Sequence, residues 1–215
     1  MSSTSQDNVR VAPAWARVAP EVLQRLGAHS TANLGDGLDR LNIADGGIAP
    51  IWPGARAVGT ALPVLTVAGD NKAVIAALDH IRPGDLVVIN ALGHDGRAIL
   101  GDNLAQRFAA FGATGAVVDG YVRDRAIIEE LGVPVFARGL TPAGPFKNGP
   151  GAIGEPVAIG GVVVHPGDLV VADGDGVIVI PPHRVEEALT GVEAIVAREA
   201  ALDAEVAGLR ARAAG

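Results

Sequence analysis

Apolar positions in this chain fall into short runs separated by Pro, Gly and Asp, and the period of the runs changes along its length. After Pro20, Val22, Leu23 and Leu26 form a helical stripe that stops at Gly27, because proline fits a first helical turn and glycine favours helix ends. Ser30 or Thr31 then caps a second helix with Leu34, Leu38 and Leu41 on one face. From Ile48 onward Pro50, Pro53, Gly54 and Gly59 impose turns, residues 61–67 read as a strand, and residues 71–80 read as a helix. Arg82-Pro83-Gly84-Asp85 leads into Leu86-Val87-Val88-Ile89, and His165-Pro166-Gly167-Asp168 leads into Leu169-Val170-Val171. The repeat reflects shared turn chemistry: Pro presets φ, Gly takes the positive φ of a type II turn, and the chain then enters a buried strand.

Between these phrases the period predicts helix 102–111, with Leu104, Phe108 and Phe111 on one face, then strand 115–119, helix 124–131 and strand 133–136. Residues 156–181 contain closely spaced strands, and Asp173-Gly174-Asp175-Gly176 is a hairpin signal. A last helix runs from about Arg184 to Ala213. The expectation is an α/β fold with mixed sheets and terminal helices: a mobile arm at 1–12, one domain over 13–183, and a helix over 184–215 available to a subunit interface.

Composition narrows the chemistry. Aromatic residues make up 3% of the chain, so the core must be built from Val, Ile, Leu and Ala. A net charge of −7 with no basic run argues against nucleic acid as a partner. A small anion remains compatible, because one or two placed arginines outweigh a distant, screened acidic background. With no cysteine, disulfides, thiolate ligands and thiol nucleophiles are excluded. No signal-peptide pattern and no long apolar run occur, so a soluble cytoplasmic protein without membrane contact is expected.

Candidate chemistry concentrates where strands hand over to helices. Arg123-Asp124 lies at such a junction in GAVVDGYVRDRAIIEEL, and the carboxyl ends of strands in α/β sheets commonly hold ligands. Read locally, Asp124 also serves as a helix cap and Arg123 as a solvated charge. Gly101-Asp102-Asn103-Leu104 opens another helix whose first N–H groups could receive a carboxylate, while Asp102 is equally an acceptable N-cap. The histidines lack zinc-site spacing, the Gly-rich stretches lack a phosphate-loop lysine, and no serine sits in G-x-S-x-G. Neither Lys72 nor Lys147 sits in a Schiff-base motif.

Taken together, STANLGDGLDRL, PGARAVGTA followed by GDN, RPGDLVVIN, GDNLA and GAVVDGYVRD resemble the RraA-like family over about residues 20–182. That family includes the class II 4-hydroxy-4-methyl-2-oxoglutarate/4-carboxy-4-hydroxy-2-oxoadipate aldolases. Its most specific feature is an acid, twenty intervening residues and Arg-Asp, met here by Asp102 and Arg123-Asp124. The resemblance implies a β/β/α swivelling-type sandwich forming a trimer or hexamer, with 13–183 as the catalytic domain. It implies that Asp124 holds Mg²⁺ or Mn²⁺, that Arg123 binds the pyruvyl oxygen, and that Asp102 orients a water for proton transfer. The N–H groups around Gly101, Asp102, Asn103 and Leu104 would take the substrate carboxylate, although Asn103 stands where the family usually carries an apolar residue. Glu199 is the counterpart of an acid that reaches the metal through water from a neighbouring subunit, with Glu186, Glu187, Glu193 and Glu205 on the same helix. The implied reaction is cleavage of 4-hydroxy-2-oxo diacids to pyruvate and a second oxo acid, accompanied by oxaloacetate decarboxylation. Some members instead bind and inhibit an RNA-processing endonuclease; these tend to carry Glu at the position of Asp102. Arg138, Lys147 and Arg56 are candidates for a distal substrate carboxylate by charge alone.

Overall fold

The alanine- and valine-rich segments pair into one mixed sheet, seen in a computed structural model that describes residues 8–213. In chain order the elements are β1 (Val9–Val11), α1 (Pro20–Gly27), α2 (Thr31–Gly37), β2 (Ala49–Pro50), β3 (Ala57–Thr66), α3 (Lys72–Ala76), β4 (Asp85–Asn90), β5 (Ala98–Leu100) and α4 (Asp102–Ala110). They continue with β6 (Gly115–Val122), α5 (Arg125–Glu130), β7 (Val135–Leu140), β8 (Gly151–Ile153), β9 (Val157–Ile159), β10 (Val162–Val164), β11 (Leu169–Asp173), β12 (Gly176–Ile180) and α6 (Val185–Ala213).

Strands β3, β4, β6 and β7 run parallel, and β5 adds to β6 in the same sense. Because parallel neighbours need crossovers, α4 and α5 are the connections that bring the chain back to the same edge. β3 is long enough to serve two partners on its other side: residues 57–60 pair antiparallel with β11, and residues 64–66 pair antiparallel with β8. One face of the sheet packs against α3, α4 and α5 through Phe108, Ile128, Val118 and Ile89. The opposite face packs on the β9/β10 hairpin through Phe136, Val88, Ile159 and Val164. A third core joins α1, α2 and the start of α6 to the β11/β12 hairpin.

The twin Pro-Gly-Asp turns behave alike, as their shared chemistry requires. Gly84 and Gly167 take φ of 87° and 90°. The Asp85 and Asp168 carboxylates accept the N–H of Arg82 at 2.9 Å and of His165 at 2.7 Å. The Asp-Gly-Asp-Gly segment turns β11 into β12 with Asp173 facing Gly176.

Several local expectations shift. Residues 9–11, read as part of the arm, form β1 in parallel with β8, while residues 1–7 of that segment lie outside the described residues. Leu41 is 55% exposed, because α2 ends at Gly37 and Asp39 and Arg40 take positive φ, which turns the chain off the helical face. Phe111 follows the end of α4 and is half exposed. Residues 71–80 divide into α3 and a 3-10 turn over Ala77–His80. The last parallel strand starts two residues later than predicted and runs to Leu140. No helix among the described residues is long and apolar enough to cross a membrane.

Candidate active site

The β5-α4-β6 crossover explains the twenty-residue spacing physically. Leu100 pairs with Val122 in parallel register, so the residues that follow each strand, Gly101-Asp102 and Arg123-Asp124, emerge side by side at one sheet end. The Arg123 N–H donates to the Leu100 carbonyl at 3.0 Å and carries the pairing one residue further.

Neither carboxylate acts as the local helix cap that its position suggests. Gly101 is the N-cap of α4 and Asp102 occupies the first helical position, where its charge complements the helix dipole. Asp124 stands at the N-cap of α5 with φ +59° and ψ 34°, a left-handed conformation costing a non-glycine residue about 1–2 kcal/mol, and its side chain makes no capping bond. Instead Asp124 Oδ2 accepts from the Asp102 N–H at 3.3 Å and from Arg123 Nε at 3.1 Å. The strained backbone turns the carboxylate away from its own helix and toward the other helix head. Gly101 is required for this approach, since an added Cβ would overlap Asp124 Oδ2 and lie 3.0 Å from Arg123 Nε.

At the head of α4 the Asn103 N–H donates to Asp102 Oδ1 at 2.7 Å, while the Leu104 N–H has no acceptor among the described residues. This helix start therefore offers one free donor, that of Leu104, while carboxylates of the chain hold the Asp102 and Asn103 N–H groups. Beside it lies a cavity of about 220 Å³ lined by Asn71, Ile99, Asp102, Arg107, Arg123 and Lys147, among others. Arg123 also borders a hollow of about 240 Å³ on its other side, shared with Asp124, Leu140 and Thr141. Arg123 thus borders both hollows, while Asp124 lines the second.

The structure brings Gly101, Asp102, Asn103, Leu104, Arg123 and Asp124 together. It places Glu199 elsewhere in the chain, on α6, where it accepts a hydrogen bond from Asn33 Nδ2 at 2.9 Å. Of the cations singled out by charge, Lys147 lines the cavity, while the other two are engaged. Arg138 binds Asp119 at 2.5 Å and both Asp45 oxygens at 3.1 and 3.0 Å, which raises its pKa, chiefly through Asp119. Arg56 donates to the carbonyls of Gly27 and His29 at 2.6 and 2.5 Å. Two polar cavity residues had little signal in the sequence. Arg107 carried only the weak signal of lying one turn below Asn103, and Asn71 sat within the GDN phrase without an assigned role.

A family model described as RraA-like, Aldolase/RraA, matches residues 31–179. The chain belongs to the RraA-like family. A relative from Halalkalibacterium halodurans, named "Putative 4-hydroxy-4-methyl-2-oxoglutarate aldolase", is 40% identical over 185 residues, covering 84% of this chain and 88% of its own. A solved Pseudomonas syringae protein superposes with a TM-score of 0.79 at 29% identity, over 90% of this chain and 96% of its own. Streptomyces coelicolor RraAS2, described as an unusual member of the RNase ES inhibitor RraA protein family, superposes with a TM-score of 0.75 at 33% identity, covering 93% and 99%. The mixed sheet and C-terminal helix are thus the RraA-like architecture.

Asp124 suits a hard divalent cation. Its Oδ2 is held by two donors, its side chain is 29% exposed, and Mg²⁺ is typically bound through one or two carboxylates with waters completing the octahedron. No group of three or more metal-ligating side chains occurs among the described residues, so such an ion would rest on this one carboxylate, water and substrate oxygens.

Proposed function

We propose that the chain is a divalent-metal-dependent lyase that cleaves 4-hydroxy-2-oxo diacids, such as 4-hydroxy-4-methyl-2-oxoglutarate or 4-carboxy-4-hydroxy-2-oxoadipate, to pyruvate and a second oxo acid. The observation carrying this reading is the joining of two helix heads through Asp124, which sets the Arg123 cation, the Asp102 carboxylate and the free Leu104 N–H around one small cavity, with the Asp124 carboxylate bonded to Arg123 and to the Asp102 N–H beside it. Family membership and the name of the H. halodurans relative support it.

Asp124 would hold Mg²⁺ or Mn²⁺, which supplies Lewis acidity toward the 2-oxo group when bound. Arg123 donates to the same oxo oxygen and stabilises the negative charge that develops there as the carbon–carbon bond breaks. The Leu104 N–H, joined by that of Asn103 when Asp102 releases it, receives the substrate carboxylate at the positive end of α4. The released Asp102 carboxylate holds a water that takes the C4-hydroxyl proton and returns a proton to the enolate carbon. Loss of CO₂ from oxaloacetate develops the same enolate, so decarboxylation accompanies the lyase reaction.

Self-association as a trimer or hexamer belongs to this proposal. Helix α6 carries Ile195, Leu202 and Leu209 at seven-residue spacing, the last two 57% and 53% exposed, which suits a helix packing on a second copy. Glu199 lies between them on the helix and would approach the metal of a neighbouring subunit through water.

The test is pyruvate release from both hydroxy-oxo diacids and from oxaloacetate, with and without EDTA, for wild type and Asp124→Asn. Activity that EDTA abolishes, Mg²⁺ restores and Asp124→Asn lacks is expected; no pyruvate above the metal-only background refutes the reading. The second reading, binding and inhibition of an RNA-processing endonuclease, draws support from the description of the Streptomyces neighbour. Tight nuclease binding by a catalytically silent protein would establish it instead.

A further inference from the structure

Arg123 is tied to the protein at one nitrogen. Its Nε donates to Asp124, while its two terminal nitrogens donate to nothing among the described residues, and the side chain is 41% exposed. One hydrogen bond does not by itself fix a long side chain with several rotatable bonds, so the groups packed against the guanidinium decide where its free nitrogens sit. The segment that follows β7 supplies such a group. A Cβ added to Gly144 would lie 3.2 Å from Arg123 Nη1, so the bare glycine backbone comes right up to the guanidinium.

Arg97, just before β5, holds that glycine. Its Nη1 donates to the Gly144 carbonyl at 2.7 Å, and its Cζ lies 4.1 Å from the centroid of the Phe146 ring. The two contacts grip the chain on either side of Pro145, which lines the α4 cavity. Arg97 is itself seated: a Cβ added to Gly69 would lie 3.1 Å from both Arg97 Cδ and His94 Nε2, so the arginine stem packs against the Gly69 turn beside His94. No carboxylate pairs with Arg97 among the described residues, and its charge is turned to a carbonyl and an aromatic face.

The far end of the same segment is fixed by other means. The Phe146 N–H donates to the Gly69 carbonyl at 2.8 Å, the Asn71 N–H donates to the Phe146 carbonyl at 3.0 Å, and the buried Asp70 carboxylate accepts the N–H groups of Asn148 and Gly149 at 2.9 and 2.8 Å. Nearer to β7, the Ala98 N–H donates to the Ala143 carbonyl at 2.8 Å. Gly144 lies between these two sets of backbone bonds, and Arg97 is the side chain that holds it there. Loss of Arg97 therefore loosens the stretch against Arg123 while the bonds on both sides remain.

We propose that Arg97 is a positioning residue for Arg123: by holding Gly144 and Phe146 it keeps the Gly144 backbone against the guanidinium and so fixes where the free terminal nitrogens of Arg123 meet the oxo oxygen. This rests on the reading of Arg123 as the donor to that oxygen, and it adds the residue that holds the donor in place. Arg97 acts through Gly144 and does not touch substrate. Its effect falls on the chemical step, because donation to a developing charge depends on geometry that a displacement of about 1 Å spoils.

Crystal structures and oxaloacetate kinetics of Arg97→Ala, Arg97→Lys and Gly144→Ala test the proposal. In Arg97→Ala the Arg123 guanidinium is expected to leave its wild-type place, and kcat per folded molecule to fall about 10- to 100-fold with KM within about threefold. Arg97→Lys, whose ammonium still donates to the Gly144 carbonyl and sits over Phe146, should return kcat to within about threefold of wild type. Gly144→Ala leaves Arg97 intact and pushes on Arg123 Nη1 from the same side, so it should displace the guanidinium and lower kcat by a similar factor even if Arg97→Ala does not fold. A guanidinium that stays in place in both alanine variants, a displaced one with unchanged kcat, or a loss of kcat that lysine does not rescue overturns the positioning role. Arg123 placement is read without turnover, so the two proposals fail separately: a wild type that releases no pyruvate sinks the lyase reading while the structures still decide whether Arg97 positions Arg123, and an active wild type whose Arg97→Ala variant keeps both geometry and kcat sinks the positioning alone.

Discussion

Asp102 and Asp124 are joined by a hydrogen bond from the Asp102 N–H to Asp124 Oδ2 at 3.3 Å, so the heads of α4 and α5 share one carboxylate across a sequence separation of 22 residues. Asp124 leaves its own helix uncapped to make that bond, at the cost of a left-handed backbone. The shared carboxylate ties the two helix heads to each other, and a fixed arrangement of charge is what transition-state stabilisation requires.

Gly101→Ala puts a methyl group against that shared carboxylate and 3.1 Å from Arg123 Cγ. Overpacking of this kind costs about 1–3 kcal/mol, and displacement of the pair should lower kcat/KM about 10²-fold. Gly46→Ala, whose added Cβ meets nothing within 4 Å, is the matched control and should leave both quantities unchanged. Urea denaturation and pyruvate release measure the two effects.

Arg123→Ala should reduce kcat about 10²–10³-fold, the usual effect of removing a donor to a developing oxyanion. Because cleavage and decarboxylation develop charge on the same oxygen, both rates should fall by similar factors. A variant that loses one activity and retains the other would contradict the shared role.

Acid stability should depend on Asp173. Burial pushes its pKa up, but donors from the Thr31 hydroxyl at 2.5 Å, the Thr31 N–H at 2.8 Å and the Asp175 N–H outweigh burial and hold the carboxyl below its ordinary 3.8. A carboxylate with a depressed folded pKa stabilises fully above its unfolded value, and that contribution disappears as pH falls through the folded one. Thr31→Val should therefore cost about 1.5–3 kcal/mol at neutral pH. The gap from wild type should close as pH drops below 3.8. Denaturation curves across that range check it, and a gap independent of pH would rule the linkage out.

Arg17 and Asp85 tie the segment before α1 to the first Pro-Gly-Asp turn through two contacts of 3.1 Å, with Asp85 fully buried and the Arg17 side chain 24% exposed. Arg17→Ala strands a buried carboxylate that retains the Arg82 N–H as a donor. The expected loss is about 2–3 kcal/mol, below the range for a wholly buried pair because solvent screens the arginine side. The midpoint of chemical denaturation reports it.

Much of the frame was legible in local patterns because its causes are local. Pro-Gly-Asp launches a strand twice because the same φ values recur, and Asp-Gly-Asp-Gly closes a hairpin for a similar reason. The apolar face of α4 announced itself through Leu104 and Phe108, both buried. Leu41 failed as a core residue because the turn at Asp39 and Arg40 takes positive φ without a glycine, which no periodicity reveals.

By itself the sequence determined the α/β order, the turn positions and the candidate pair of helix heads, all of them consequences of neighbours along the chain. Only the tertiary structure decided what those heads do. The parallel register of Leu100 with Val122 turned two plausible caps into one shared site. It also sorted the cations: Asp119 and Asp45 occupy Arg138, backbone carbonyls occupy Arg56, and Arg107 joins Lys147 at the cavity wall. Whether a charge is free depends on residues far away in sequence, because ion pairs and hydrogen bonds form through space; Arg138 and Asp45, 93 positions apart, are the plainest case.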